Sequence, residues 1–276
     1  MTGDVLLYDD FGAGDLDRSL WNVIVSGPAH NDEQQAYIDS PDTVFVTATA
    51  GLDGATGRGC LVLQPRFRPG TTTAEGATFD FVSGRVDTRD RFTVRYGSLA
   101  ARIQVPGGRG VWPAFWALGP GPWPDTGEID VMEYVGEADW TGSAVHGPGY
   151  SGESGLVNQL HHPAGSAPTD WHVFSADWGP DEIVFRVDGA VSYRVTRPMV
   201  EFHGPWAFDN EMHLLLNVAV GGTYPFKING IRTPYYGVDE ATVEAVRAGE
   251  VRMLVDWVRV TSLTDPVPRA GAEAGA

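Results

Sequence analysis

The chain has one cysteine, Cys60, and that scarcity excludes an intrachain disulfide, a dithiol redox pair and a cysteine-built zinc site. Basic residues are few as well. Nineteen Lys and Arg stand against 36 Asp and Glu, a formal net charge of −17, which argues against nucleic acid or an anionic membrane as partner. No apolar run approaches the ~20 residues that a membrane-crossing helix needs. The opening residues 1–11 lack the basic start and long apolar centre of a signal peptide. Also missing are a G-x-S-x-G elbow, a G-x-x-x-x-G-K-[ST] loop and an H-E-x-x-H helix. His161 and His162 are adjacent, so on a strand they point to opposite sides and make no paired metal site.

What is present reads as one large β domain. Hydrophobic residues at 42% with 20% charged can fill a core, and 35 Gly with 19 Pro punctuate the chain too often for a helical bundle. Eleven strand-like runs are expected, at 60–64, 84–88, 92–105, 111–118, 128–134, 142–146, 172–178, 182–187, 190–195, 212–220 and 251–261. In the 92–105 run the apolar alternation restarts after Gly97, which predicts a bend in one long strand. Cys60 lies in Gly-Cys-Leu-Val-Leu and reads as a buried thiol. One helix is expected at 239–248, with Asp239 as N-cap and Gly249 beyond its end. The fold class is thus all-β: a single sandwich over 1–264, followed by a loose tail at 265–276.

The segment Glu128-Ile129-Asp130-Val131-Met132-Glu133 interleaves three acids with strong strand formers. Period two places Glu128 and Asp130 on one face and Glu133 on the other. A β-bulge at Val131 or Met132 returns Glu133 to the shared face. Crowded carboxylates raise at least one pKa, and one protonated with one ionised carboxyl is what glycoside hydrolysis uses. An exposed acidic edge strand is the bland alternative. Against it stand the preceding Val-Trp-Pro-Ala-Phe-Trp run, with Trp112 and Trp116, and Trp123 in the intervening loop. Tryptophans beside carboxylates suit stacking on sugar rings, although Trp112 and Trp116 also serve as ordinary core aromatics.

At this point the acid segment resembles the E-x-D-x-x-E signature of glycoside hydrolase family 16, in the bulged form found in laminarinase-type endo-1,3-β-glucanases. The resemblance runs from Asp9-Asp10-Phe11 and Leu20-Trp21-Asn22, through Ser83-Gly84-Arg85, Trp178-Gly179-Pro180-Asp181 and Asn217-Val218-Ala219-Val220-Gly221-Gly222, to Val255-Asp256-Trp257. It implies a β-jelly-roll of two curved antiparallel sheets with a concave substrate cleft. It also implies Glu128 as nucleophile, Asp130 as the acid that tunes it and Glu133 as general acid/base. At ~3.3 Å per residue the two Glu backbones stand roughly 13 Å apart, a span that converging side chains can close to the ~5 Å of a retaining double displacement.

The resemblance further implies cleft contacts from His146, Arg85, Asn31 and Glu33. The usual apolar and aromatic residues at positions 34 and 36 are here Gln34 and Ala36. A structural histidine and a surface arginine are the plain alternatives for His146 and Arg85. Asn217 carries an amide within an apolar strand and needs partners there, from substrate, a carboxylate or backbone. Asp256 interrupts another apolar strand. In the family an Asp at this place commonly ligates a structural calcium, and a hydrogen-bonded Asp reads equally well. No cofactor is needed for the chemistry. The expected partner is a neutral β-glucan, with mixed-linkage glucan, a galactan or non-catalytic glucan binding as alternatives. A structural sandwich leaves the acid triplet unexplained. Also expected are a monomer, no nucleic acid and no membrane, and secretion with a leader outside this chain, a cytoplasmic location remaining open.

Overall fold

The computed structural model describes residues 3–26 and 31–263. The tail expected at 265–276 lies outside them. Two large antiparallel sheets face each other. The first runs in the order Leu156–His161, Trp140–His146, Glu128–Glu133, Val111–Leu118, His213–Val220, Arg85–Asp87 and Asn22–Val23. The second runs Ala190–Thr196, Glu182–Val187, Trp171–Trp178, Gly97–Gln104, Met253–Thr261, Gly59–Leu63 and Val44–Ala48, with Val5–Asp9 also pairing to Met253–Thr261. A small third sheet joins Gln35–Tyr37, Thr78–Ser83 and Arg66–Thr72. Its first two strands are the parallel pair.

Period-two alternation decides which face of the first sheet is dry. In Val111–Leu118, Val111, Phe115 and Ala117 enter the shared core, while Trp112 and Trp116 stay partly exposed on the opposite face. Ile129, Met132, Leu214, Leu216 and Val218 pack with them against Leu99, Ile103, Phe174, Ile183 and Val258 of the second sheet. Each such side chain contributes about 1.5–3 kcal/mol on burial. Cys60 is fully buried.

Two expectations need correction. The 92–105 run is not one bent strand: Tyr96 takes φ +67° and Gly97 φ +150°, and the strand begins only at Gly97. The left-handed residue breaks the ladder before the second half of the run can continue it. The helix is there as Glu240–Ala248, with the Asp239 carboxylate accepting from the Thr242 N–H at 2.8 Å and Gly249 at φ +75°. It is joined, however, by two short helices, Arg197–Glu201 and Thr223–Asn229.

The third sheet is tied to the first through polar groups. The Gln35 side-chain carbonyl accepts from the Val220 N–H at 2.7 Å, and the Ser83 hydroxyl donates to the Val218 carbonyl at 2.6 Å. These bonds bring Gln35–Tyr37 alongside the solvent-facing side of the first sheet, where the acids lie.

Candidate active site

The chain enters the acid strand through Gly127, at φ +77°, where a Cβ would stand 2.6 Å from the Ala207 carbonyl oxygen. Only glycine fits there. Against Val111–Leu118, Glu133 pairs with Ala114, Met132 with Phe115, and Asp130 with Trp116, so Val131 is the extra residue. The other neighbour shows the same shift, Asp130 opposite Ala144 and Glu133 opposite Gly142. This is the bulge that parity demanded. The Val131 carbonyl accepts from the Ser143 hydroxyl at 3.1 Å.

With the bulge in place, directly paired residues fall into rows on one face. Arg85, Asn217, Ala114, Glu133, Gly142 and Gln159 form one row. Asp87, Leu215, Trp116, Asp130 and Ala144 form the next. Leu118, Glu128 and His146 lie in a third with His213. Gly142 and Ala144 are small and leave space over the carboxylates beside them.

Each acid has a distinct partner. The Trp112 indole N–H donates to Glu133 Oε1 at 2.9 Å, and that of Trp123 to Glu128 Oε2 at 2.5 Å. Asp130 is buried, with Oδ2 3.3 Å from His146 Nε2. Trp123 is 52% exposed at the rim, and its ring centre lies 6.4 Å from that of His146. A polar chain continues away from the acids: the Trp116 N–H donates to Asn217 Oδ1 at 2.8 Å, and Asn217 Nδ2 donates to the Tyr37 hydroxyl at 3.0 Å. The Arg85 guanidinium sits 5.0 Å above the Trp116 ring and 5.9 Å from that of Tyr37, covering one face of each. Glu33 reaches the same group, accepting from Gln35 Nε2 at 2.6 Å and adding its charge beside Tyr37. Asn31 participates through its backbone, its carbonyl accepting from the Thr223 N–H at 2.7 Å.

Electrostatics follow from crowding in a recess. Burial first, and then the Asp130 charge, push the Glu128 carboxyl up to about 8, against the pull of His146 and the Trp123 N–H. Burial and the Glu133 charge hold Asp130 well above the ordinary range, while its hydrogen bond with Glu128 acts in the opposite sense. Burial also raises Glu133, opposed by the Trp112 N–H. All three carboxyls are thus biased toward their protonated forms, and Glu128 and Asp130 are joined by a hydrogen bond.

Sequence reasoning passed over Tyr37, Tyr224 and Gln159. Tyr224 packs edge-on against Trp112 with ring centres 5.4 Å apart, and burial followed by the charges of Glu133 and Asp130 raises its hydroxyl pKa. Its one signal was its place two residues after the Gly221-Gly222 pair. Asp256 lies away from these acids, on the second sheet. Fully buried, it accepts from the Thr56 N–H and hydroxyl, the Gly57 N–H and Arg102 Nη1, the last at 2.7 Å. These donors engage both carboxylate oxygens, and a guanidinium stands where a cation would sit. The residues as placed do not fit a calcium ligand set, and they match the hydrogen-bonded reading of Asp256.

Comparison with known proteins agrees with this geometry. The family model for Glycosyl hydrolases family 16 matches residues 33–245. A beta-glucanase of Rhodothermus marinus is 32% identical over 271 residues, covering 93% of this chain and 84% of the relative. The endo-beta-1,3-glucanase of Pyrococcus furiosus superposes with a TM-score of 0.78 at 32% identity, over 94% of each chain. The laminarinase catalytic domain of Thermotoga maritima does so with a TM-score of 0.77 at 30% identity, over 96% of this chain and all of that domain. These likenesses identify the two-sheet sandwich as a β-jelly-roll.

Proposed function

The chain belongs to family 16 of the glycosyl hydrolases, and from that membership we propose that its cleft hydrolyses 1,3-β-glucan internally, with retention of anomeric configuration. The observation that carries the reading is the bulge at Val131, which brings Glu128, Asp130 and Glu133 to one face. A flat strand would turn Glu133 to the core side, away from Glu128 and Asp130.

In this reading Glu133, whose pKa burial raises, donates its proton to the departing glycosidic oxygen. Glu128 attacks the anomeric carbon from the opposite face of the ring, forming a glycosyl ester. For that attack Glu128 must be ionised, and to Asp130, whose carboxyl burial and the Glu133 charge bias toward the protonated form, we assign the task of holding the proton beside it. Water then enters, Glu133 takes its proton, and the ester is displaced with a second inversion. His146, 3.3 Å from Asp130, orients that carboxyl.

A neutral glucan offers hydroxyls and apolar ring faces. Trp123, open on the rim and tied to Glu128, is the stacking platform for a sugar beside the scissile bond. Trp116 has one face occupied by Arg85, so it and Trp112 act chiefly through their N–H groups. Arg85, Asn217 and Glu33 line the cleft floor away from the acids and supply hydroxyl contacts. We further propose an extracellular enzyme acting as a monomer, a reading supported by the polymeric nature of the substrate and by all three acids coming from one strand of one chain.

A mixed-linkage activity has one observation in its favour: solved relatives include a non-specific endo-beta-1,3(4)-glucanase, 27% identical with a TM-score of 0.75 over 93% of this chain. Measuring new reducing ends on laminarin, lichenan, agarose and carrageenan separates these readings. The proposal expects cleavage of laminarin at the highest rate. Cleavage of agarose or carrageenan alone overturns the glucan assignment, and binding of laminarin with no cleavage overturns the hydrolase.

A further inference from the structure

One donor atom each from Glu128, Asp130 and His146 lie within 4.8 Å of one another, the one metal-capable group of this kind among the described residues. Acidic side chains in proximity do not by themselves make a metal site, and here two further features point to a ligand. Asp130 is 3% exposed, and its Oδ2 is buried without a hydrogen-bond partner. The nearest base, His146 Nε2, faces it at 3.3 Å from a ring whose other nitrogen is likewise buried and unbonded. An imidazole nitrogen and a carboxylate oxygen that confront each other are both electron-pair donors. The gap is stable only when something positive lies in it, a proton or a metal ion.

We propose that Glu128, Asp130 and His146 form a zinc site that competes with glucan for the cleft. The donor set selects the ion. One imidazole nitrogen and two carboxylate oxygens, with a fourth position left to water, is a set that zinc takes in three-ligand sites. Calcium asks for six to eight oxygens, and magnesium for a near-octahedral shell rich in water, and neither shell can be assembled from these three side chains. Around a tetrahedral zinc at 2.0–2.2 Å the donor atoms stand about 3.3–3.6 Å apart. The present spread closes by a side-chain rotation of Glu128, which Trp123 holds by Oε2. A divalent ion there neutralises two carboxylates that otherwise repel each other in a recess. It also occupies the approach of an anomeric carbon to Glu128, so bound zinc and bound glucan exclude one another.

Calorimetric titration of the full chain with zinc chloride tests this directly. The expected result is one saturable site per chain, weakened about tenfold or more in His146→Phe and in Glu128→Gln. His161→Ala, which alters the exposed His161–Asp139 pair, is expected to leave it unchanged. A laminarin oligosaccharide added to the unmodified protein is expected to weaken zinc binding in proportion to its concentration, an arm that needs no variant to fold. Absence of saturable binding, or binding that neither His146→Phe nor Glu128→Gln weakens, overturns the proposal. The site rests on side-chain geometry, and the glucanase reading enters only through the competition arm. A protein that binds zinc as described yet does not cleave laminarin would refute the function and keep the site.

Discussion

At the residue scale the two glutamates are chemically similar and environmentally different. Glu128 is tied to an exposed indole at the rim and hydrogen-bonded with Asp130, whereas Glu133 accepts from the inner Trp112. These differences divide the labour, and azide can read the division. Glu128→Gly is expected to be inactive on laminarin, at least a thousandfold below the parent. With azide and an activated β-glucoside it should yield the α-glycosyl azide, because the anion enters from the vacated side. Glu133→Ala should give the β-azide through the intact ester, and chromatography with NMR distinguishes the products. Trp112→Phe removes an N–H that favours ionised Glu133. The carboxyl pKa then rises, and the limb of the pH–rate profile set by Glu133 moves to higher pH, by about one unit for each 1.36 kcal/mol of lost hydrogen bond. An unmoved limb would show that Glu133 does not set it. The three acids were legible in the sequence because strand parity made their spacing anomalous. Tyr37, Tyr224 and Gln159 were not, because each comes from a separate segment and meets the acids only through tertiary pairing.

At the scale of the element, the acid strand works because a ladder defect is stabilised locally. At the bulge the Val131 carbonyl accepts from the Ser143 hydroxyl. Ser143→Ala removes that buried hydrogen bond and is expected to cost about 0.5–1.5 kcal/mol of folding free energy, measured by urea unfolding. A loss below about 0.5 kcal/mol would mean that the bulge does not need this bond. Strands bounded by turn residues, such as Val111–Leu118 between Gly110 and Gly119 and Glu182–Val187 between Asp181 and Asp188, were read from sequence to the residue. Leu156–His161, Arg66–Thr72 and Thr78–Ser83 were not, nor were the short ones. Val5–Asp9 buries only Leu7, Asn22–Val23 has two residues, and Gln35–Tyr37 is a wholly buried parallel strand without alternation. Their formation depends on a neighbour's free edge more than on their own pattern.

For the whole molecule, catalytic and structural acids act on stability with opposite signs. Asp256 is buried, which alone would raise its pKa, but Thr56, Gly57 and Arg102 hold it below the ordinary carboxylate value. Its contribution is therefore present above the unfolded pKa of about 3.9 and is lost as pH falls through the lower folded value. Glu128 behaves the other way. Its folded pKa of about 8 lies above the ordinary carboxyl value of 4.5, so its contribution is complete below that ordinary value and is lost as pH rises through 8. Glu128→Gln is accordingly expected to raise the thermal midpoint at pH 8 and to change it little at pH 4, as read by calorimetry. An equal shift at both pH values would contradict the assignment of a raised pKa. The fold thus places a strained cluster of acids on a face whose surroundings are stabilised by ordinary burial.

That a displaced Val131 aligns two glutamates for double displacement on a 1,3-β-glucan is tested most directly by the configuration of the first product. Proton NMR of a laminarin oligosaccharide, recorded within the first minutes of cleavage and before mutarotation, resolves the two anomers at the new reducing end. The account predicts that the β-anomer appears first and the α-anomer grows in later at the rate of mutarotation. An α-anomer appearing first would mean a single inverting displacement and would contradict it.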